Sequence, residues 1–188
     1  MPNRSIELKQ GDTILLSDLA PNINKIMIGL GWDLLEAELD LDASVFMLGE
    51  NRKIPSDDFF IYYNNLKSPL GSLEHTGDNR STAGEGDDEM IVLNLSQVES
   101  QVTEIVVITT IHQGLLKKQN FGMLCNIYLR IIDLQSGIEI LRFDLENSFE
   151  QATDLEFCCL KRDGNQWTFK AVGKGTEIGL EGYIENYA

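Results

Sequence analysis

KIMIGLGW, residues 25–32, puts Ile26, Ile28, Leu30 and Trp32 at every second position, with Lys25, Met27, Gly29 and Gly31 between them. A helix would space its apolar residues three or four apart, so period two reads as a half-buried strand. The period returns in LDLDASVFMLG (39–49), where Leu41, Ala43, Val45 and Met47 share one face and Asp40, Asp42, Ser44 and Phe46 the other. Two carboxylates therefore project side by side from this second strand.

Working outward, strands are expected at 59–63, 90–95, 104–112, 125–133, 138–144, 155–162 and 166–172. EIVVITTI (104–111) is β-branched on both faces, the composition of a central strand buried from two sides. Two turn signals, DLQSG (133–137) and RDGN (162–165), join neighbouring runs into hairpins. Many short strands about ten residues apart predict an all-β fold, a two-sheet antiparallel β-sandwich forming one domain over 1–188. Short helical turns are expected after Leu95, where Ser96 could cap, over 147–153, and in the last dozen residues. Long loops are expected at 49–58 and 64–88; a stretch of about 25 residues without regular structure is usually functional.

Thirty Asp and Glu against fifteen Lys and Arg give a net charge of -15. Such a chain repels nucleic acid and anionic lipid and attracts cations. No apolar run approaches the roughly 18 residues of a membrane span, and MPNRSIELKQGD lacks the apolar core of a secretory signal. Without membrane insertion or export, a cytoplasmic location is expected. Cys125, Cys158 and Cys159 form no C-x-x-C pair and lie in strand-like stretches, which suits reduced thiols packed as small hydrophobes.

GDNRSTAGEGDDE (77–89) is the acidic concentration of the chain. Asp78, Asn79, Glu85, Asp87, Asp88 and Glu89 offer hard oxygen ligands of the kind calcium takes six to eight of, and Gly77, Gly84 and Gly86 let the backbone fold back. Without a cation these carboxylates would repel one another. The spacing does not match the helix-loop-helix calcium loop, and one loop rarely closes a coordination sphere. Asp33, after the strand ending in GLGW, and the pair Asp40 and Asp42 are the best outside ligands.

GLGWD (29–33), DLDAS (40–44), FIYYNNLKSPLGSLEHTGDNRSTAGEGDDE (60–89), TTIHQG (109–114) and QNFG (119–122) together resemble the TerD family of tellurium-resistance and stress-response proteins. The likeness runs nearly end to end, from a lead-in strand in IELKQGDTILL (6–16) to WTFKAVGKGTEIGLEGYI (167–184). It implies a calcium-binding β-sandwich, usually with two neighbouring sites. Carried onto this chain, the ligands are Asp33, Asp40, Asp42, Asp78, Asn79, Glu85, Asp87, Asp88 and Glu89, holding one or two Ca2+ ions. Ser81, Thr82 and Ala83 stand where many members have Gly or an acidic residue, and Glu85 where Asp is common, so equal affinity at two sites does not follow. The resemblance also implies work beside related tellurium-resistance-type proteins and a membrane-protein partner. It implies no reaction.

Other readings compete. A metal-activated hydrolase needs a base within reach, but His75 and His112 are the only histidines and neither has a partner at triad or ligand spacing. The protein is therefore read as no enzyme, with His75 as a hydrogen-bonding neighbour of the acidic loop or a locally bonded histidine. A phosphate cradle conflicts with the carboxylates among the glycines unless a metal bridges. Calcium-dependent binding of a small phosphorylated ligand, such as a cyclic nucleotide, is the alternative function. Trp32, Trp167 and Phe169 lie on alternating strands and are expected in the core rather than in a ligand box.

Overall fold

The structure, a computed structural model, describes residues 5–35, 38–76, 86–146 and 149–188. In chain order the strands are β1 (Ile6–Leu8), β2 (Thr13–Leu15), β3 (Lys25–Leu34), β4 (Leu41–Leu48), β5 (Phe60–Ile61), β6 (Leu73–His75), β7 (Glu89–Asn94), β8 (Glu104–Ile111), β9 (Leu124–Asp133), β10 (Ile138–Asp144), β11 (Asp154–Asp163) and β12 (Gln166–Thr176). Short helices are α1 (Leu16–Leu19), α2 (Gly114–Lys117) and α3 (Gly179–Tyr187). The first sheet has the order β1-β10-β9-β3-β7-β6 and the second β2-β12-β11-β8-β4-β5. Pairing is antiparallel except between β1 and β10, which run parallel.

Period two decides what faces the core. Ile26, Ile28 and Leu30 of β3 meet Leu41, Ala43, Val45 and Met47 of β4 between the sheets, and Trp32, Trp167 and Phe169 pack with them. The aromatic residues are core, as expected. The opposite face of β4 and β8 carries Phe46, Leu48, Val106 and Ile108, which pack against Tyr183 and Tyr187 of α3. Phe46 stacks on Phe60 at 4.5 Å between centroids and meets Tyr187 at 5.0 Å. Every residue of β8 is buried because one face meets the first sheet and the other meets α3. Cys158 and Cys159 are buried free thiols, and burial pushes the Cys159 thiol up to about 11, away from the reactive thiolate.

Several local expectations change. The 59–63 strand shortens to β5, because Phe59 N–H closes a 3-10 turn on Ser56 and Tyr62 turns to bond Asn65 in both directions. No helix follows Leu95: the Ser96 hydroxyl donates to Asn94 Oδ1 at 3.0 Å, so its side chain is turned away from a capping role. Of the expected helical turn over 147–153, residues 147–148 lie outside the described residues, and 149–153 form a turn and a bend rather than a helix. The 64–88 connection contains β6, and ahead of it the Glu99 carboxylate ties down Leu70 N–H at 2.9 Å and the Ser72 hydroxyl at 2.7 Å.

Candidate functional site

The acidic stretch joins β6 to β7, two neighbouring antiparallel strands with His75 opposite Ile91. It is a hairpin connection. Asp78, Asn79 and Glu85 lie in 77–85, outside the described residues. The outgoing limb is tied by Thr76, whose N–H and hydroxyl both donate to the Met90 carbonyl, at 3.0 and 3.1 Å.

The returning limb, from Gly86, crosses onto the first sheet through two consecutive aspartates that face different partners. Asp88 N–H donates to the Leu30 carbonyl at 2.8 Å, and Asp88 Oδ2 accepts from Trp32 N–H at 2.9 Å. Asp88 thereby extends the hydrogen bonding of β7 along β3. Asp87 lies over Gly29 on the outer face of that sheet, in space that a Cβ on Gly29 would fill. Gly31 makes the same room for the Tyr128 ring. Glycine inside a strand often marks such a close approach.

Asp87 is buried and fully engaged. Arg130 Nε donates to Oδ1 at 2.8 Å and Nη2 to Oδ2 at 3.0 Å, while Tyr128 hydroxyl donates to Oδ1 at 3.0 Å. The hydrogen bond to Asp87 raises the Arg130 pKa, with burial opposing it. Burial first, then the Asp87 charge, pushes the Tyr128 phenol up to about 12. The Arg142 guanidinium sits 4.2 Å from the Tyr128 ring centre and completes the cluster. Glu89, opposite Leu30, turns inward and its Oε2 lies 3.2 Å from His75 Nε2, both side chains buried.

Asp33 lies one residue before the end of β3, beyond a register shift against β9, and is exposed, accepting from Asn126 Nδ2 at 2.6 Å. Asn126 reaches it from a left-handed backbone, φ 50°. Asp40 is exposed just before β4, where its carbonyl accepts from His112 N–H at 2.8 Å. Asp42 stands opposite Thr110, on the α3-covered face of the second sheet. Asp33 and Asp87 belong to the outer face of the other sheet, so the strands bring Asp33 near Asp88 through Trp32 but carry Asp42 to the far side. Among the described residues no group of three His, Cys, Asp or Glu side chains is gathered for a metal.

Arg130 and Tyr128 are what reading the sequence missed. Their signal was the two glycines of β3, whose cross-strand partners on β9 are Arg130 and Tyr128. A strand interior with no side chain at two alternate positions calls for a neighbour to fill the space.

The TerD domain family matches residues 4–187. A tellurium resistance protein TerD of Serratia marcescens is 38% identical over 186 residues, 97% of each chain. General stress protein 16U of Bacillus subtilis (strain 168) is 37% identical over 187 residues, again 97% of each chain. The fold overlays that of a homologue of the telluride resistance protein TerD from Streptomyces coelicolor A3(2), with a TM-score of 0.65 and 16% identity, covering 87% of this chain and 96% of that one. With the β-sandwich, the hairpin-borne acidic stretch and this end-to-end match in hand, the chain belongs to the TerD family of tellurium-resistance and stress-response proteins.

Proposed function

We propose that this TerD-family protein binds one or two calcium ions through the acidic hairpin connection, and that the ion orders the 77–89 loop and presents an acidic face to partners. The observation that carries this reading is the pinned exit of the connection: Asp87 is tied to Arg130 and Tyr128, and Asp88 to Leu30 and to Trp32, the residue before Asp33.

The donor chemistry fits calcium unevenly. Asp33 is an exposed carboxylate and Asp88 a partly exposed one; with Asp78, Asn79 and Glu85 they supply hard oxygens of the required kind. Asp87 fits poorly, since its charge is already neutralised by Arg130, and Glu89 is turned inward beside His75. These two are anchors in this reading. Asp40 and Asp42 lie at the start of β4, on the other sheet, and take no part in this ion's coordination. Calcium contributes charge neutralisation and order, and we read the protein as a binding protein rather than an enzyme. Partners would be related tellurium-resistance-type proteins and a membrane protein, met in the cytoplasm. No helix among the described residues is long and apolar enough to cross a membrane.

Calorimetric titration of EDTA-treated protein tests the reading. Calcium should give a saturable heat that magnesium does not match, and the folded state should gain about 2.7 kcal/mol at a hundredfold excess over Kd. Absence of both the heat and the stabilisation would sink it. Asp33→Asn should weaken calcium binding about tenfold or more while leaving the melting temperature in EDTA unchanged, because Asp33 is exposed and its described bond is to one exposed asparagine.

A further inference from the structure

We propose that a cavity between α2 and α3, on the outer face of the second sheet, docks a basic amphipathic segment of a partner protein: a lysine or arginine flanked by apolar side chains. The cavity measures about 490 Å3. Two features meet there that a soluble surface normally keeps apart.

The first is an acidic floor. Asp42, Asp154 and Glu181 all line the cavity. Thr110 of β8 lies between Asp42 on β4 and Asp154 on β11 in the cross-strand register, so the two aspartates occupy one row of the sheet. Asp154 is 1% exposed; its Oδ2 accepts from Gly179 N–H at 2.7 Å and the Thr153 hydroxyl at 3.1 Å, and the Ile178 N–H and Thr176 hydroxyl also favour its charged form. The three carboxylates make the floor electronegative, which draws an ammonium or guanidinium into the cavity.

The second is an apolar rim. Leu116 is 79% exposed, Leu115 61%, Tyr63 57% and Ile178 44%, and all four line this cavity. Single exposed apolar residues are ordinary, whereas four around one concavity form the kind of patch that marks an interaction surface. The two leucines are held out by a single helical turn bracketed by two non-glycine residues in the left-handed region, Gln113 at φ 58° and Lys118 at φ 54°. Such backbone costs energy and persists where the surroundings enforce it. Lys117 and Lys118 belong to the same turn but do not line the cavity.

Charge complementarity selects the occupant. An apolar rim over an acidic floor admits a cationic side chain with hydrophobic neighbours and repels an acidic segment. A second copy of this chain, with its net charge of -15, is a poor match.

The test uses fluorescence anisotropy at about 150 mM salt, which screens the protein's general attraction for cations. Three labelled helical peptides of equal length are compared: Leu/Lys, Ser/Lys of the same charge, and Leu/Glu. The Leu/Lys peptide should bind about tenfold more tightly than Ser/Lys, with Leu/Glu showing no binding. Leu116→Ser and Glu181→Gln should each weaken Leu/Lys binding at least about threefold without lowering the melting temperature, while Ile6→Ser and Glu7→Gln, on β1, should not. Equal affinity for the two basic peptides, or equal losses in the cavity and β1 variants, would overturn the proposal. So would concentration-dependent dimerisation in sedimentation that Leu116→Ser abolishes. Repeating the titrations with EDTA and with calcium separates this surface from the acidic hairpin: rim-dependent binding should persist in both, whatever becomes of the calcium heat.

Discussion

Gly29 shows how a residue with no side chain can position a site. A methyl group there would fall on the Asp87 carboxylate, so Gly29→Ala must push Asp87 off its place beside Arg130. The expected cost is about 2–3 kcal/mol in urea denaturation, because a buried charge loses its counter-ion geometry. Arg130→Ala should cost about 3 kcal/mol for the same reason, since the Asp87 side chain is only 1% exposed and would be left unpaired. Removing both members, Arg130→Ala with Asp87→Ala, should recover much of that loss, and a strictly additive double mutant would show that the pair is not coupled. The sequence made Asp87 visible as charge and not as an anchor. Its partner is 43 residues away, and a carboxylate cluster read in isolation assigns every member the same task.

Elements divide by length in how legible they were. Period two exposed β3 and β4 with their facings, and β8 was legible from β-branched residues on both faces, because strands of eight or ten residues repeat their pattern often enough to be read. β5, β6, α1 and α2 span two to four residues, and tertiary bonds such as those of Asn65 and Glu99 shape the chain around them rather than propensity. α3 was expected from sequence, but its anchor was not: Asp154, on β11, accepts from Gly179 N–H at the helix start. Burial raises the Asp154 carboxyl pKa above its ordinary 3.8, with the bonds from Gly179 and Thr153 opposing the shift. A folded-state pKa above the unfolded one means the fold favours the protonated acid. That contribution is fully present below the ordinary value and is lost as pH rises through the folded value. Asp154→Asn keeps an acceptor for Gly179 and removes the ionisation, so native stability should fall relative to this variant as pH is raised from about 4. Melting curves of the two proteins that stay parallel across the series would refute the assignment.

For the molecule as a whole, the two outer faces carry different features. The second sheet is covered by α3 and offers a cavity at that helix's start; the first sheet carries the Asp87 cluster and the exit of the acidic hairpin. The sandwich was legible because strand periodicity is local, and half of the proposed metal site because charge clustering is local too. That Asp33 and Asp42 sit on different sheets follows only from the order in which strands pair, which no residue spacing reports. Excess negative charge acts on this architecture in two separable ways. Self-repulsion across a surface of net charge -15 opposes the compact state and is screened by any salt, so raising KCl from about 10 to about 200 mM should lift the melting temperature by a few degrees. Under the proposed function, calcium should add a saturable increment above that at constant ionic strength, and magnesium should not reproduce it. Asp33→Asn removes one exposed carboxylate, too little to change the general repulsion, so its salt-dependent rise should match the native protein while its calcium increment shrinks. Loss of both increments together would mean that calcium acts on this fold only as a counter-ion.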